Sequence, residues 1–129
     1  KKIYFILFIF IWIELSSANS YPNNVGVFCP ATNVNTTTGY WFVGKNVELY
    51  RVFGEEIKQY DTQDVSLKGS NVIYFWDKKN PGDFMVYLDR QTLVAGTIYR
   101  RQCELVQRKS QMLGRMQIEL NNLKARNKL

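Results

Sequence analysis

The apolar positions of this chain fall mostly into short runs with the period of a β-strand. From Asn71 to Cys103 (NVIYFWDKKNPGDFMVYLDRQTLVAGTIYRRQC) three β-rich runs follow one another, Val72–Trp76, Phe84–Leu88 and Leu93–Tyr99. They are separated by Lys78-Lys79-Asn80-Pro81-Gly82-Asp83 and Asp89-Arg90-Gln91-Thr92, both rich in residues that fix φ, take positive φ or bond their own backbone. Such short connections predict a three-stranded antiparallel meander. In its middle strand Phe84, Val86 and Leu88 share one face and Met85 and Tyr87 the other, so both sides are expected to be covered. Upstream, Val25–Phe28, Tyr40–Val43, Val47–Phe53 and Glu55–Asp61 read as further strands, the last at an edge where its charges discourage pairing with other chains. Thr62–Ser70 reads as a loop, and Ala31–Thr38 as the place for one short helix. After Cys103 the period changes. Leu113, Met116, Leu120 and Leu123 recur at helical spacing, with Leu105, Met112 and Ile118 nearby. This stripe has three competing uses: packing back on the domain, pairing with a partner helix, or lying on an acidic surface.

The first residues stand apart. Lys1-Lys2, the unbroken apolar run Ile3–Ile13 and the small residues Ser16–Ser20, with Ala18 and Ser20 before a cut at Tyr21, have the form of a secretory signal peptide. The run is shorter than the roughly 18 apolar residues a membrane anchor needs. The expected organisation is a signal peptide at 1–20, one domain at 21–106 and a basic amphipathic helical tail at 107–129. In an oxidising compartment the two cysteines, Cys29 and Cys103, are expected to be bonded. Asn35-Thr36-Thr37 is a sequon that makes Asn35 a glycosylation candidate.

Charge is unevenly placed. Residues 21–99 hold seven Lys/Arg against eight Asp/Glu, whereas residues 100–129 hold eight Lys/Arg against two Glu. The basic character thus belongs to the C-terminal tail. Histidine is absent, which removes the usual acid/base near neutral pH, the nucleophile–His pair and the commonest metal ligand. No CxxC, phosphate-binding Gly-rich loop or tight acidic cluster occurs, and neither metal nor cofactor is expected. Asp77, Asp83 and Asp89 flank the meander turns and are read first as turn acids. Aromatic residues abound on the strands. Tyr74, Trp76 and Tyr87, beside Arg100 and Arg101, form a candidate surface for single-stranded RNA or a protein partner.

Pro81-Gly82-Asp83-Phe84-Met85-Val86-Tyr87 followed by Leu93-Val94-Ala95-Gly96-Thr97-Ile98-Tyr99-Arg100 resembles the last hairpin of the small secreted fungal guanyl-specific ribonucleases. In that alignment Phe75 stands where the resemblance places the catalytic Glu, Phe84 where it places the phosphate-binding Arg, and Arg100 where it places the terminal His. With the signal peptide, the early Cys and the Cys after the last strand, the chain is similar to the ribonuclease-like effectors associated with haustoria of powdery mildews. The resemblance covers roughly Tyr21–Val106 and departs from the family at Val27, where those effectors carry an aromatic residue two places before Cys. It implies an α+β fold, a twisted antiparallel sheet with one short N-terminal helix, to which this chain adds its C-terminal helix. It also implies a secreted virulence protein without catalytic residues, reaching host cells and acting on host RNA, the ribosome or a host defence protein, with no small-molecule substrate. Two alternatives stand beside it: an active secreted ribonuclease using carboxylates and Arg100, and an unrelated extracellular binding protein.

Overall fold

A computed structural model describes residues 20–33, 35–60, 63–69, 71–76 and 85–126. The signal-peptide segment, the Pro81-Gly82 turn, Asp77, Asp83 and Phe84 lie outside the described residues, as do the side chains of Gln63 and Trp76. The elements are β1 (Asn23–Cys29), β2 (Thr38–Val43), β3 (Asn46–Phe53), β4 (Glu56–Gln59), β5 (Gln63–Lys68), β6 (Val72–Trp76), β7 (Val86–Asp89), β8 (Val94–Gly96), β9 (Arg100–Gln102), β10 (Glu104–Val106) and α1 (Lys109–Arg126).

The strands form one antiparallel sheet in the order β10-β1-β2-β3-β5-β6-β7-β8-β9, with β4 paired to the far half of β3. The sheet's two ends, β9 and β10, are consecutive in the chain and separated only by Cys103. The stretch Arg100–Val106 therefore switches partners at Cys103, pairing first with β8 and then with β1. The sheet rolls up into a barrel that the chain itself closes. Ring contacts across the interior agree with this. Phe75 on β6 meets Tyr40 and Phe42 of β2 edge-on at 5.0 and 6.0 Å, although β3 and β5 separate those strands in the ladder.

Strand alternation decides which residues fill the barrel. Val27, Phe42, Leu49, Val65, Ile73, Leu88 and Ala95 all point inward and are buried together. Cys29 and Cys103 belong to the same core and are bonded, with Cα atoms 4.3 Å apart, as expected. The opposite parity of β1, β2, β3 and β10 supplies a second core outside the barrel. There Phe28, Trp41, Tyr50 and Val106 pack under Met112 and Met116 of α1. Gly39 lies on that outer face, and a Cβ there would stand 2.8 and 2.9 Å from the Met112 and Met116 sulfurs. Its missing side chain lets the helix approach the sheet. Polar pairs pin the helix at its edges: Lys109 Nζ lies 2.7 Å from Glu48, Arg115 pairs with Glu104 while its guanidinium covers Phe28 at 4.5 Å, and Glu119 accepts from the Thr37 hydroxyl.

The fold is thus α+β in the broad sense, a mostly antiparallel sheet with a C-terminal helix. Several finer expectations are corrected. No helix occurs in residues 30–33 or 35–37. Thr32 N–H donates to the Asn35 carbonyl at 2.8 Å and Asn35 N–H to the Thr32 hydroxyl at 3.1 Å. Asn and Thr side chains compete with helix hydrogen bonds in this way. Within the Thr62–Ser70 loop expectation lies β5, because Val65 and Leu67 sit two apart and both face the core. The run Leu93–Tyr99 is not one strand. It breaks at Gly96, where φ is 155° and a Cβ would lie 2.2 Å from the Tyr99 carbonyl oxygen. A three-residue hairpin loop, Thr97-Ile98-Tyr99, then turns the chain into β9. The stripe on α1 is largely core: Met116 and Leu120 are buried and Leu113 packs on the same cluster, leaving Leu123 43% exposed. Among the described residues no helix is long and apolar enough to cross a membrane.

Candidate functional site

The helix covers the outside of the barrel over β10, β1 and β2. Roughly opposite, the outer faces of β6, β7, β8 and β9 lie under no described element. Register assembles one file of residues across this face. Ser66 pairs with Tyr74, Tyr74 with Tyr87, Tyr87 with Gly96 and Gly96 with Arg100. The Tyr74 and Tyr87 rings lie 6.2 Å apart and tilted by 37°. Because Gly96 interposes no side chain, the Arg100 guanidinium reaches back over the Tyr87 ring, 5.8 Å from its centroid. Tyr74 and Tyr87 are half-buried, and Arg100 is exposed.

The file borders a groove of about 680 Å³ lined by Tyr87, Val72, Lys68, Val94 and Arg100. Asp89 also borders it, but as a turn acid. Its Oδ1 accepts the backbone N–H of Gln91 at 2.8 Å and of Thr92 at 3.1 Å. The Thr92 and then the Gln91 N–H hold its carboxyl below the usual range. The groove thus offers two cations, the π face of Tyr87 and an acid already occupied by the turn. A flat, anionic, partly apolar chain fits those properties.

The sequence candidates are divided by the structure. Tyr74, Tyr87 and Arg100 come together. Trp76 lies in β6 opposite Asp64, with its side chain outside the described residues. Arg101, one residue on from Arg100, turns to the inner face, opposite Ala95. Its Nη1 donates to the carbonyls of Pro30 and Thr36, both at 2.7 Å, and its Nη2 to the Thr38 hydroxyl at 2.7 Å. Phe75, at the expected Glu position, is fully buried in the barrel core. Asn35 borders a cavity beside Arg101. Leu113, Met116 and Leu120 are taken up by packing; Leu123 stays exposed.

Sequence reasoning missed Arg51 and Tyr40, which share that end of the barrel with Arg101. A signal was present: Arg51 stands in phase with Val47 and Leu49, an arginine at an inward position. No protein family, curated protein or solved structure matches the chain.

Proposed function

We propose that this chain is a secreted binding protein without catalytic activity, whose ligand is single-stranded RNA held on the outer face of β6–β9. The observation that carries the reading is the in-register file Tyr74–Tyr87–Arg100, two rings 6.2 Å apart with a guanidinium over the second. Aromatic faces on an open sheet stack unpaired bases whatever their sequence, and neighbouring cations take the phosphates. The resemblance to ribonuclease-like effectors adds a reason to expect RNA and a setting, a fungal protein acting on a host. The ten-stranded rolled sheet is larger than that resemblance implies, so the reading rests on the file of residues and not on the scaffold. The basic helix is no part of this surface. It lies on the far side of the barrel, and Lys109 and Arg115 are already paired with Glu48 and Glu104.

Fluorescence anisotropy with a single-stranded oligoribonucleotide tests the reading. Tyr87→Ala should weaken binding by about 1–3 kcal/mol, the usual worth of one base–aromatic stack. Arg100→Gln should weaken it and flatten the salt dependence by about 0.7 in the log–log slope. Affinity unchanged by Tyr87→Ala, or equal affinity for an RNA duplex, refutes it. A protein partner is the second reading, favoured by the hairpin tip: Ile98 is 86% and Tyr99 61% exposed. That reading requires Ile98→Ser to abolish partner capture.

A further inference from the structure

The inner face carries a different kind of site. Where β1 ends and β2 begins, the barrel end opens into a cavity of about 310 Å³. Arg101 enters it from β9 and Arg51 from β3, and both interact with the hydroxyl of Tyr40, which is itself buried. Arg101 is not a free surface cation. Its three bonds to the Pro30 and Thr36 carbonyls and the Thr38 hydroxyl fix the plane of its guanidinium. Arg51 is steadied from the side by the Tyr60 ring, 5.8 Å away.

Two guanidiniums held around one hydroxyl repel each other, more strongly here than in open water because the site is partly desolvated. Burial works against protonated Arg101; Tyr40 opposes it, and the charge of Arg51 adds a smaller push in the same direction as burial. Among the described residues no carboxylate lines the cavity. The acid that acts on Arg101 is Glu119, and it is engaged elsewhere: it accepts from the Thr37 hydroxyl and the Ala31 N–H and borders a separate cleft beside the helix. An anion between the two arginines would relieve the repulsion. The planar fork of Arg51 and the N–H groups that Arg101 does not spend on Pro30, Thr36 and Thr38 suit the oxygens of a tetrahedral phosphoryl group. At the cavity's rim stands Tyr99, with its exposed ring available to a planar group attached to that phosphate.

We infer that the Arg51–Arg101–Tyr40 end of the barrel is a binding pocket for a phosphate monoester, with the phosphoryl group between the arginines and the group it carries against Tyr99. The cavity is near the lower size of small-ligand sites, enough for a phosphate with a sugar but not for a polymer. This pocket opens on the opposite parity of the strands from Tyr87 and Arg100. It stands whether or not RNA binds the outer face.

The experiment is an amide NMR titration of the processed protein with inorganic phosphate and, separately, adenosine 5′-monophosphate. Both should give saturable shifts centred on Thr38, Gly96 and Thr97. Arg51→Gln should weaken both ligands by about tenfold or more, and Tyr99→Ala should weaken the nucleotide alone. Arg51→Lys, which keeps the charge and loses the fork, provides the same reading if Arg51→Gln fails to fold. Equal affinity for the two ligands and indifference to Tyr99→Ala would assign the pocket to free phosphate. Absence of saturable shifts with both ligands overturns the inference. So does affinity unchanged in a folded Arg51 variant.

Discussion

Replacing Met116 by Ala separates a helix that is core from a helix that waits for a partner. Met116 is fully buried, at 0% exposure, between Phe28, Trp41 and Tyr50 on the sheet and the rest of α1. Truncating a buried methionine removes its transfer free energy and leaves a cavity, typically about 2–5 kcal/mol together. Two features place this site towards the lower half of that range. Its neighbour Met112 is flexible enough to lean into the space, and Gly39 beneath leaves the sheet surface shallow there. A loss of about 2–3 kcal/mol is expected, which lowers the melting temperature by roughly 10 °C for a domain of about a hundred residues. Leu123→Ala, on the same stripe but 43% exposed, should fall within about 0.5 kcal/mol of the parent. Thermal and urea denaturation followed by circular dichroism read both. If Met116→Ala melts with the parent while Leu123→Ala does not, the helix does not pack on the sheet through Met116.

Replacing Cys29 and Cys103 together by Ser releases a loop with a separation of 74 residues, and the chain-entropy estimate for that loop is roughly 4 kcal/mol. The variant should be largely unfolded at 37 °C by circular dichroism, and a melting temperature within a few degrees of the parent would contradict this. Gly114→Ala should stabilise by about 0.5–1 kcal/mol, because a Cβ at that helix position meets nothing within 4 Å. A lower melting temperature in that variant would show that the open space is occupied. For pH, three carboxyls are held below their ordinary range. In Asp89 the Thr92 and Gln91 N–H groups do this; in Glu104 it is the Arg115 guanidinium; in Glu48 burial pushes upward but the Lys109 and Tyr50 hydrogen bonds outweigh it. Each folded-state pKa lies below its unfolded value, so the unfolded chain takes up protons first as pH falls. Their stabilisation is present above the ordinary carboxylate range of about pH 4–4.5 and is lost below it. Melting temperatures should therefore fall below about pH 4.5, and Asp89→Asn should shrink that fall; a flat profile across this range would show that the three bonds do not form.

Much of the sheet was legible because alternation and turn chemistry agree. The runs Tyr40–Val43, Val47–Phe53 and Val72–Trp76 are strands, and Asp89 caps its turn through backbone N–H groups. What was not legible follows from partners that lie far off in sequence. β5 has only Val65 and Leu67 as apolar signal, and it becomes a strand because β6 along its length and the first residues of β3 supply its hydrogen bonds. Tyr74, Tyr87 and Arg100 were chosen as aromatic and basic residues on strands. That they stand in one file depends on the Gly96 hairpin, which sets the register of β9 and was read as strand interior. The helical stripe alone could not tell a sheet from a partner as its cover. Gly39 decides, and its role is visible only once the methionine sulfurs lie over it.

The division between Arg100 and Arg101 has one cause, and it also ties the two sites together. Cys103 must point into the barrel to bond Cys29. Strand parity then sends Arg101 inward with it and Arg100 and Gln102 outward. The same parity continues into β10, where Glu104 and Val106 face the helix. A single stretch, Arg100–Val106, thus closes the barrel, contributes to the inner pocket, supplies a cation of the outer face and seats the helix. Moving its register by one residue would bury Arg100, expel Arg101 from its three bonds and separate Cys103 from Cys29, and a one-residue shift in a strand reverses every side chain in this way. The disulfide therefore does more than stabilise the chain against unfolding. By fixing the parity of this stretch it determines which arginine serves which face.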